Sequence, residues 1–197
     1  MINKQDILLC SITNFTKFGS KRFTLDDLAL ELGISKKTIY QYFNGKEALV
    51  AESLSYLLDN YVEEIEAIQE REDLDAIEKI ITIYKRGFEY LKHFKPAFLF
   101  GIKKYYPKAD GVFTAFSDRL VNTIIYTLLV KAQQQQIIKP RVDVALVAKL
   151  YMLRVDNVAF KDDNLFKTYS LSTVLNHLII YNLRGITVSG YSNAFFE

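Results

Sequence analysis

The stretch Thr24–Leu49, TLDDLALELGISKKTIYQYFNGKEAL, decides the fold. Leu25, Leu28, Ala29 and Leu32 fall at i, i+3, i+4 and i+7, the spacing of one buried helical face. Thr24 stands where an N-cap belongs, and Asp27 three residues on gives a carboxylate form of the capping box. Gly33 ends this helix, because glycine enters the left-handed conformation without a steric penalty. Ser35 then offers a fresh cap hydroxyl. In the next helix Ile39 and Phe43 turn inward, while Lys36, Lys37, Tyr40 and Gln41 cover the opposite side. Two short helices, a glycine turn and the start of a third make a helix-turn-helix.

The outward set has the chemistry of a major-groove reader. Lysine neutralises phosphate or donates to guanine, and glutamine pairs bidentately with adenine. Tyrosine hydroxyls donate to phosphate oxygens and fix register. A plain helical hairpin on a protein surface would share the helix-Gly-helix outline, but not the whole string. Leu28-Ala29, the run Leu32 to Phe43 and Lys46-Glu47-Ala48-Leu49 together resemble the DNA-binding signature of the tetracycline-repressor (TetR) family. The resemblance covers the first fifty residues or so; the remainder is similar to the family only in length and helical character.

The resemblance implies roles. Lys36, Lys37 and Gln41 occupy positions facing the major groove. Tyr40, Tyr42 and Lys46 match positions that grip phosphates, and Thr24 and Thr38 lie at helix starts near the DNA backbone. Three departures stand out: Leu25 where many members carry a phosphate-touching threonine, Lys37 for a frequent glycine, and Gly45 for a frequent serine or asparagine.

The 197 residues suffice for one large domain or for a small one plus a medium one, and 14 Phe and 13 Tyr supply a sizeable core. The net charge is only +2, so the whole-chain balance says little about nucleic acid. Its distribution says more: Lys4, Lys17, Lys21, Arg22, Lys36, Lys37 and Lys46 gather near the start. Lys21 and Arg22 either reach the DNA backbone or are two solvated loop charges. The lone Cys10 excludes an internal disulfide, fits a reducing cytoplasm and reads as a packed thiol. There is no apolar signal run and no stretch long enough to span a membrane, so a cytoplasmic protein with no membrane partner is expected.

Helical patterning continues along the chain. The expected helices are 3–18, 46–69, 74–94, 96–106, 112–136, 140–160 and 170–184, with Asp110-Gly111 as a turn and Pro140 in a first helical turn. The tail 187–197 is expected to be ordered only by contact. No flexible linker separates the reader from the long helix that begins at Lys46. The expected fold is all-α: a helix-turn-helix DNA-binding domain over 1–48, then a helical effector-binding and dimerisation domain over 49–197.

The last two long helices are apolar nearly all round and so must be buried on more than one side. Val147, Tyr151, Leu175, Leu178 and Ile179 are the candidate dimer seam, two helices from each chain forming a four-helix bundle. TetR-like proteins pair in this way. The middle of the chain is rich in aromatics, and Tyr84, Phe88, Phe98, Phe113 and Tyr126, with the polar Arg154 and Asn157, are candidate pocket residues. Aromatics at helical spacing also read as plain core, and buried polar groups also read as satisfying one another. The expectation of a small-molecule effector comes from the resemblance.

Enzyme chemistry finds no support: His93 and His177 lie on different helices, and no phosphate loop, nucleophile elbow or metal-spaced Cys/His set occurs. No cofactor and no metal are expected. The reading is a dimeric one-component regulator, a repressor released from a palindromic operator by an effector. The alternative is a helical dimeric protein-interaction module whose DNA-binding domain is vestigial.

Overall fold

The computed structural model describes residues 2–160 and 165–196, with side chains throughout except at Pro96 and 154–160. Arg154 and Asn157 therefore lie outside the described side chains. Two compact units emerge: Met1–Val62 with His93–Phe116, and Glu63–Lys92 with Ser117–Glu197. The sequence reading divides the chain after residue 48; the packing instead groups a later helix with the N-terminal ones.

In the first unit, α1 (Lys4–Phe18) is opened by a capping box between Asn3 and Asp6. It buries Ile7, Leu8, Ser11, Ile12 and Phe15. Phe18, at the end of α1, is 39% exposed; its ring stacks on Phe23 under Lys17 and Lys95. Burial raises the Cys10 thiol to about 11, with the Glu31 carboxylate adding to it. The thiol thus stays protonated and poorly nucleophilic, in keeping with a packing role. α6 (Pro96–Tyr105) packs on α1. The Lys95 N–H donates to the Thr16 carbonyl at 3.0 Å, and the Tyr106 hydroxyl donates to the Ser20 carbonyl at 3.2 Å.

α4 is one unbroken helix, Gly45–Glu70. Its later part lies in the second unit, where charged side chains hold it. Arg86 is bidentate to Glu64 at 2.7 and 2.9 Å and also contacts Glu89, and Tyr90 donates to Glu64 at 2.8 Å. The Arg86 guanidinium keeps the Glu64 carboxyl below its usual range. Lys79 Nζ donates to the Gln69 carbonyl at 2.7 Å, at the end of α4. Arg119 pairs with Glu66 at 3.0 Å.

α5 (Ala76–Leu91) starts at a capping box of Asp75 and Glu78 and is strongly amphipathic. Its Ile77, Ile80, Ile81, Ile83 and Phe88 are at most 1% exposed. Burying each such side chain contributes roughly 1.5–3 kcal/mol, so this face is a main source of the unit's stability. α5 packs on α8 (Tyr126–Gln134), and α8 in turn on α9 (Val144–Phe160).

Two expectations need correction. Asp110-Gly111 is no turn: both residues lie within α7 (Pro107–Arg119), which begins at a proline and places Asp110 in its first turn. Proline there gives up no helical hydrogen bond, and the carboxylate suits the positive helix end, so the local context overrides the turn dipeptide. α7 runs through a π-helical stretch, Leu120–Ile125, into α8. Pro140 lies in a turn before α9, whose cap is Asp143, accepting from the Leu146 N–H at 3.0 Å. Its neighbours are drawn aside by non-local pairing: an isolated antiparallel bridge joins Ile138 to Thr187, and the Lys139 N–H donates to Ile186.

The last helical rod starts at Ser170 and comprises α10 (Leu171–Leu175), a π-helical stretch over Asn176–Ile180, and α11 (Tyr181–Ile186). The tail beyond is tied down. Tyr191 donates to Asp75 at 2.6 Å, which with burial lifts its hydroxyl well above the ordinary tyrosine range, and Arg184 donates to the Phe196 carbonyl at 2.9 Å. Tyr191→Phe removes a half-buried bond to a carboxylate and should cost about 1 kcal/mol. A lower urea midpoint at unchanged slope is expected; an unmoved midpoint would mean that the clasp contributes nothing.

Candidate nucleic-acid interface

The reader is assembled by local chemistry. α2 (Leu25–Leu32) opens at Thr24, whose hydroxyl accepts from the Asp27 N–H at 3.1 Å while Asp27 takes the Thr24 N–H at 2.8 Å. Gly33 closes it at φ 64°, with the Ile34 N–H returning to Ala29 and the Gly33 N–H to Leu30, a Schellman ending. Ser35 caps α3 (Lys36–Tyr42) by accepting from the Thr38 N–H at 3.1 Å. Gly45 sits at φ 90°, where a side chain would be strained, so the serine or asparagine frequent in the family is not equivalent here.

Packing then sets the orientation. Leu25, Leu28, Ala29, Ile39 and Phe43 are all buried, with Ile39 and Phe43 at 1% and 2% exposure; Leu32 is half-buried. Leu25 faces the core, so no phosphate contact comes from its side chain. With Ile39 and Phe43 inside, α3 presents Lys37, Tyr40, Gln41 and Tyr42 to solvent. The Tyr40 and Tyr42 rings stand well out in water, at 53% and 40% exposure.

The remaining predicted residues sit as follows. Lys36 is paired with Asp26 of α2 at 2.9 Å, and the pair raises its pKa. Thr38 shares a hydroxyl–hydroxyl bond with Ser35 at 2.9 Å. Thr24 gives its hydroxyl proton to Asp27 at 2.7 Å. Lys46, in the first turn of α4, is half-buried and donates to the Lys21 carbonyl at 3.3 Å; burial lowers its pKa, with Asp27 opposing. That bond engages one of the three N–H donors of its ammonium group.

Residues 12–53 match the family described as "Bacterial regulatory proteins, tetR family". The chain is similar over 179 residues to an uncharacterized HTH-type transcriptional regulator, YvaF, of Bacillus subtilis, at 27% identity, spanning 87% of this chain and 90% of the relative. Residues 12–53 thus form a region of the tetR family of bacterial regulatory proteins, and the chain is similar along most of its length to an HTH-type transcriptional regulator. Its relatives are regulators, not enzymes. Two solved structures extend the likeness to the whole fold. Reduced NemR of Escherichia coli superposes with a TM-score of 0.76 at 11% identity, over 94% of this chain and 97% of that one. FadR of Bacillus subtilis, solved with stearoyl-CoA, gives 0.70 at 18% identity, over 93% and 100%. The likeness of fold thus extends over both units.

Of the predicted seam residues, Tyr151, Leu175 and Ile179 are 2%, 4% and 0% exposed within the protomer. Val147 and Leu178 are half-buried. The outward apolar face of α9 is instead Leu146, Leu150 and Leu153, at 52%, 41% and 59% exposure, and Tyr181 of α11 is 53% exposed. The i, i+4, i+7 spacing of the leucines was the signal available in the sequence. The predicted pocket residues fall in both units. Phe98 and Phe113 belong to the first unit, whereas Tyr84 and Phe88 are buried in the second and Tyr126 is 39% exposed. Tyr84 packs with Tyr151 at 5.9 Å and Phe88 with Phe166 at 5.9 Å, an aromatic cluster that the sequence spacing did not reveal. Among the described residues, no helix is long and apolar enough to cross a membrane.

Proposed function

We propose that this TetR-family regulator is a homodimeric repressor, released from a palindromic operator by a small-molecule effector. The observation that carries the DNA reading is the outward face of α3, where Lys37, Tyr40, Gln41 and Tyr42 are exposed while Ile39 and Phe43 anchor the helix. Lys37 and Gln41 read base edges, joined by Lys36 once it leaves Asp26. That exposed pair is worth only about 0–1 kcal/mol, so phosphate and base contacts readily replace it. Tyr40, Tyr42 and Lys46 hold phosphates, with Thr24 and Thr38 beside the backbone at helix starts. A protein-interaction module would have no use for this set on one exposed face.

Dimerisation is supported by the leucine face of α9, which would otherwise stand in water. An effector is supported by the aromatic cluster of Tyr84, Phe88, Tyr151 and Phe166 in the second unit, and by the stearoyl-CoA held by the FadR of similar fold. The test is a gel shift with the DNA upstream of the chain's own gene. Lys46→Ala should weaken binding about equally on all sequences and lower the slope of log K against log salt by about 0.9 for each phosphate it leaves unneutralised. An unchanged slope in that variant would remove Lys46 from the phosphate set.

A further inference from the structure

We infer that the C-terminal turn of α6 is a second DNA-backbone site, in which Lys104 and Lys21, seated on the rings of Phe100 and Tyr105, continue the phosphate grip that begins at Lys46. The inference rests on the DNA-binding reading above and adds to it a helix from outside the helix-turn-helix.

Lys46 reaches the main chain of Lys21, and Lys21 and Lys104 share the Tyr105 ring. Lys46 Nζ donates to the Lys21 carbonyl at 3.3 Å. Lys21 Nζ lies 4.4 Å from the centroid of the Tyr105 ring. Lys104 Nζ lies 5.4 Å from the centroids of both Phe100 and Tyr105. A lysine held over an aromatic face keeps its charge and has fewer conformations left to lose when it meets an anion. Both rings remain open to solvent, Phe100 at 52% and Tyr105 at 42% exposure. These rings fill no core; their observed contacts position ammonium groups at the surface.

The platform is fixed to the reader. Besides the Thr16 and Ser20 carbonyl bonds already described, a Cβ built on Gly101 would stand 3.2 Å from Ser20 Oγ, so α6 lies close against the α1–α2 connection. Two carboxylates of the same unit are engaged elsewhere: Glu47 accepts from the Lys108 N–H at 3.4 Å, and Asp27 holds Thr24. Double-stranded DNA carries one charge per about 1.7 Å of axis, so a cationic strip continuous with one phosphate contact meets further phosphates. Charge complementarity and continuity with Lys46 both favour DNA as the occupant.

The experiment measures the salt dependence of binding to the upstream fragment and to non-specific duplex. Wild type is compared with K21A/K104A, with K21R/K104R and, as a control from the second unit, with K85A; thermal melts confirm folding. Each phosphate left unneutralised should lower the slope by about 0.9, so the double alanine variant of a dimer should fall by up to about 3.6 on both DNAs. The arginine pair should restore the wild-type slope, and K85A should keep it. A wild-type slope in folded K21A/K104A overturns the assignment, including the case in which that variant no longer binds anionic lipid vesicles. If wild type binds neither DNA, the DNA-binding reading itself fails and this site with it.

Discussion

Leu150→Glu is expected to leave a folded monomer that no longer holds a palindromic operator. Leu150 is 41% exposed in the protomer and lies between Leu146 and Leu153 on α9, so a carboxylate there disturbs no protomer core. In a two-fold assembly the same residue is buried from both sides, and an unpaired buried charge costs several kcal/mol. Half-site binding by the monomer would lose the effective concentration that joins two readers, a factor of about 10²–10⁴. Light scattering gives the mass and a gel shift on a two-half-site fragment gives the affinity. A variant that is still dimeric and still binds would place the seam elsewhere.

The choice of Leu150 over Ile179 or Leu175 matters. Ile179 is 0% exposed and Leu175 4%, so a glutamate at either position would unfold the protomer and report nothing about pairing. Sequence periodicity marks α9 and the final rod as apolar nearly all round. It does not say which side the protomer's own helices cover. That partition depends on α5, α8 and the π-helical stretch, which are remote in sequence.

The same physics separates what was legible from what was not. Thr24 with Asp27, Gly33 and Ser35 act within a turn or two of themselves, and each takes the role its local chemistry dictates. Ile39 and Phe43 share one face whatever the rest of the chain does. Pro140 and the tail depend instead on Ile138 meeting Thr187 and Tyr191 meeting Asp75, pairings that no short-range rule anticipates. Helical spacing likewise groups residues along one helix and does not say which unit they join: Phe98 and Phe113 fold with the first unit and Tyr84 and Phe88 with the second. The boundary expected after residue 48 followed the motif, whereas α6 folds with the reader through Thr16 and Ser20.

An effector that releases the operator should itself be weakened by operator DNA, by the same factor. Two readers must stand about 34–36 Å apart to enter successive major grooves on one face of the duplex. Each reader is joined to the second unit by α4, which runs without a break from Gly45 to Glu70. Arg86, Lys79 and Arg119 hold the far part of that helix through Glu64, Gln69 and Glu66. A ligand that repacks the Tyr84–Phe88 face of α5 therefore acts on the helix that carries Arg86 and Lys79, and a tilt at the end of α4 is carried along it to Lys46. The ligand can shift the balance only by its difference in affinity between the two arrangements, typically 1–3 kcal/mol, or about 5–150-fold. Calorimetric titration of a screened compound, with and without the upstream fragment, should give two affinities in that ratio. The fragment's affinity, measured with and without the compound, should give the same ratio, because both legs close one thermodynamic cycle. Arg86→Ala should shrink the ratio toward one while leaving the compound bound, since it loosens α4 without entering the aromatic cluster. Equal affinities in wild type would show that the compound is no inducer, and an undiminished ratio in Arg86→Ala would remove the Glu64 clamp from the coupling path.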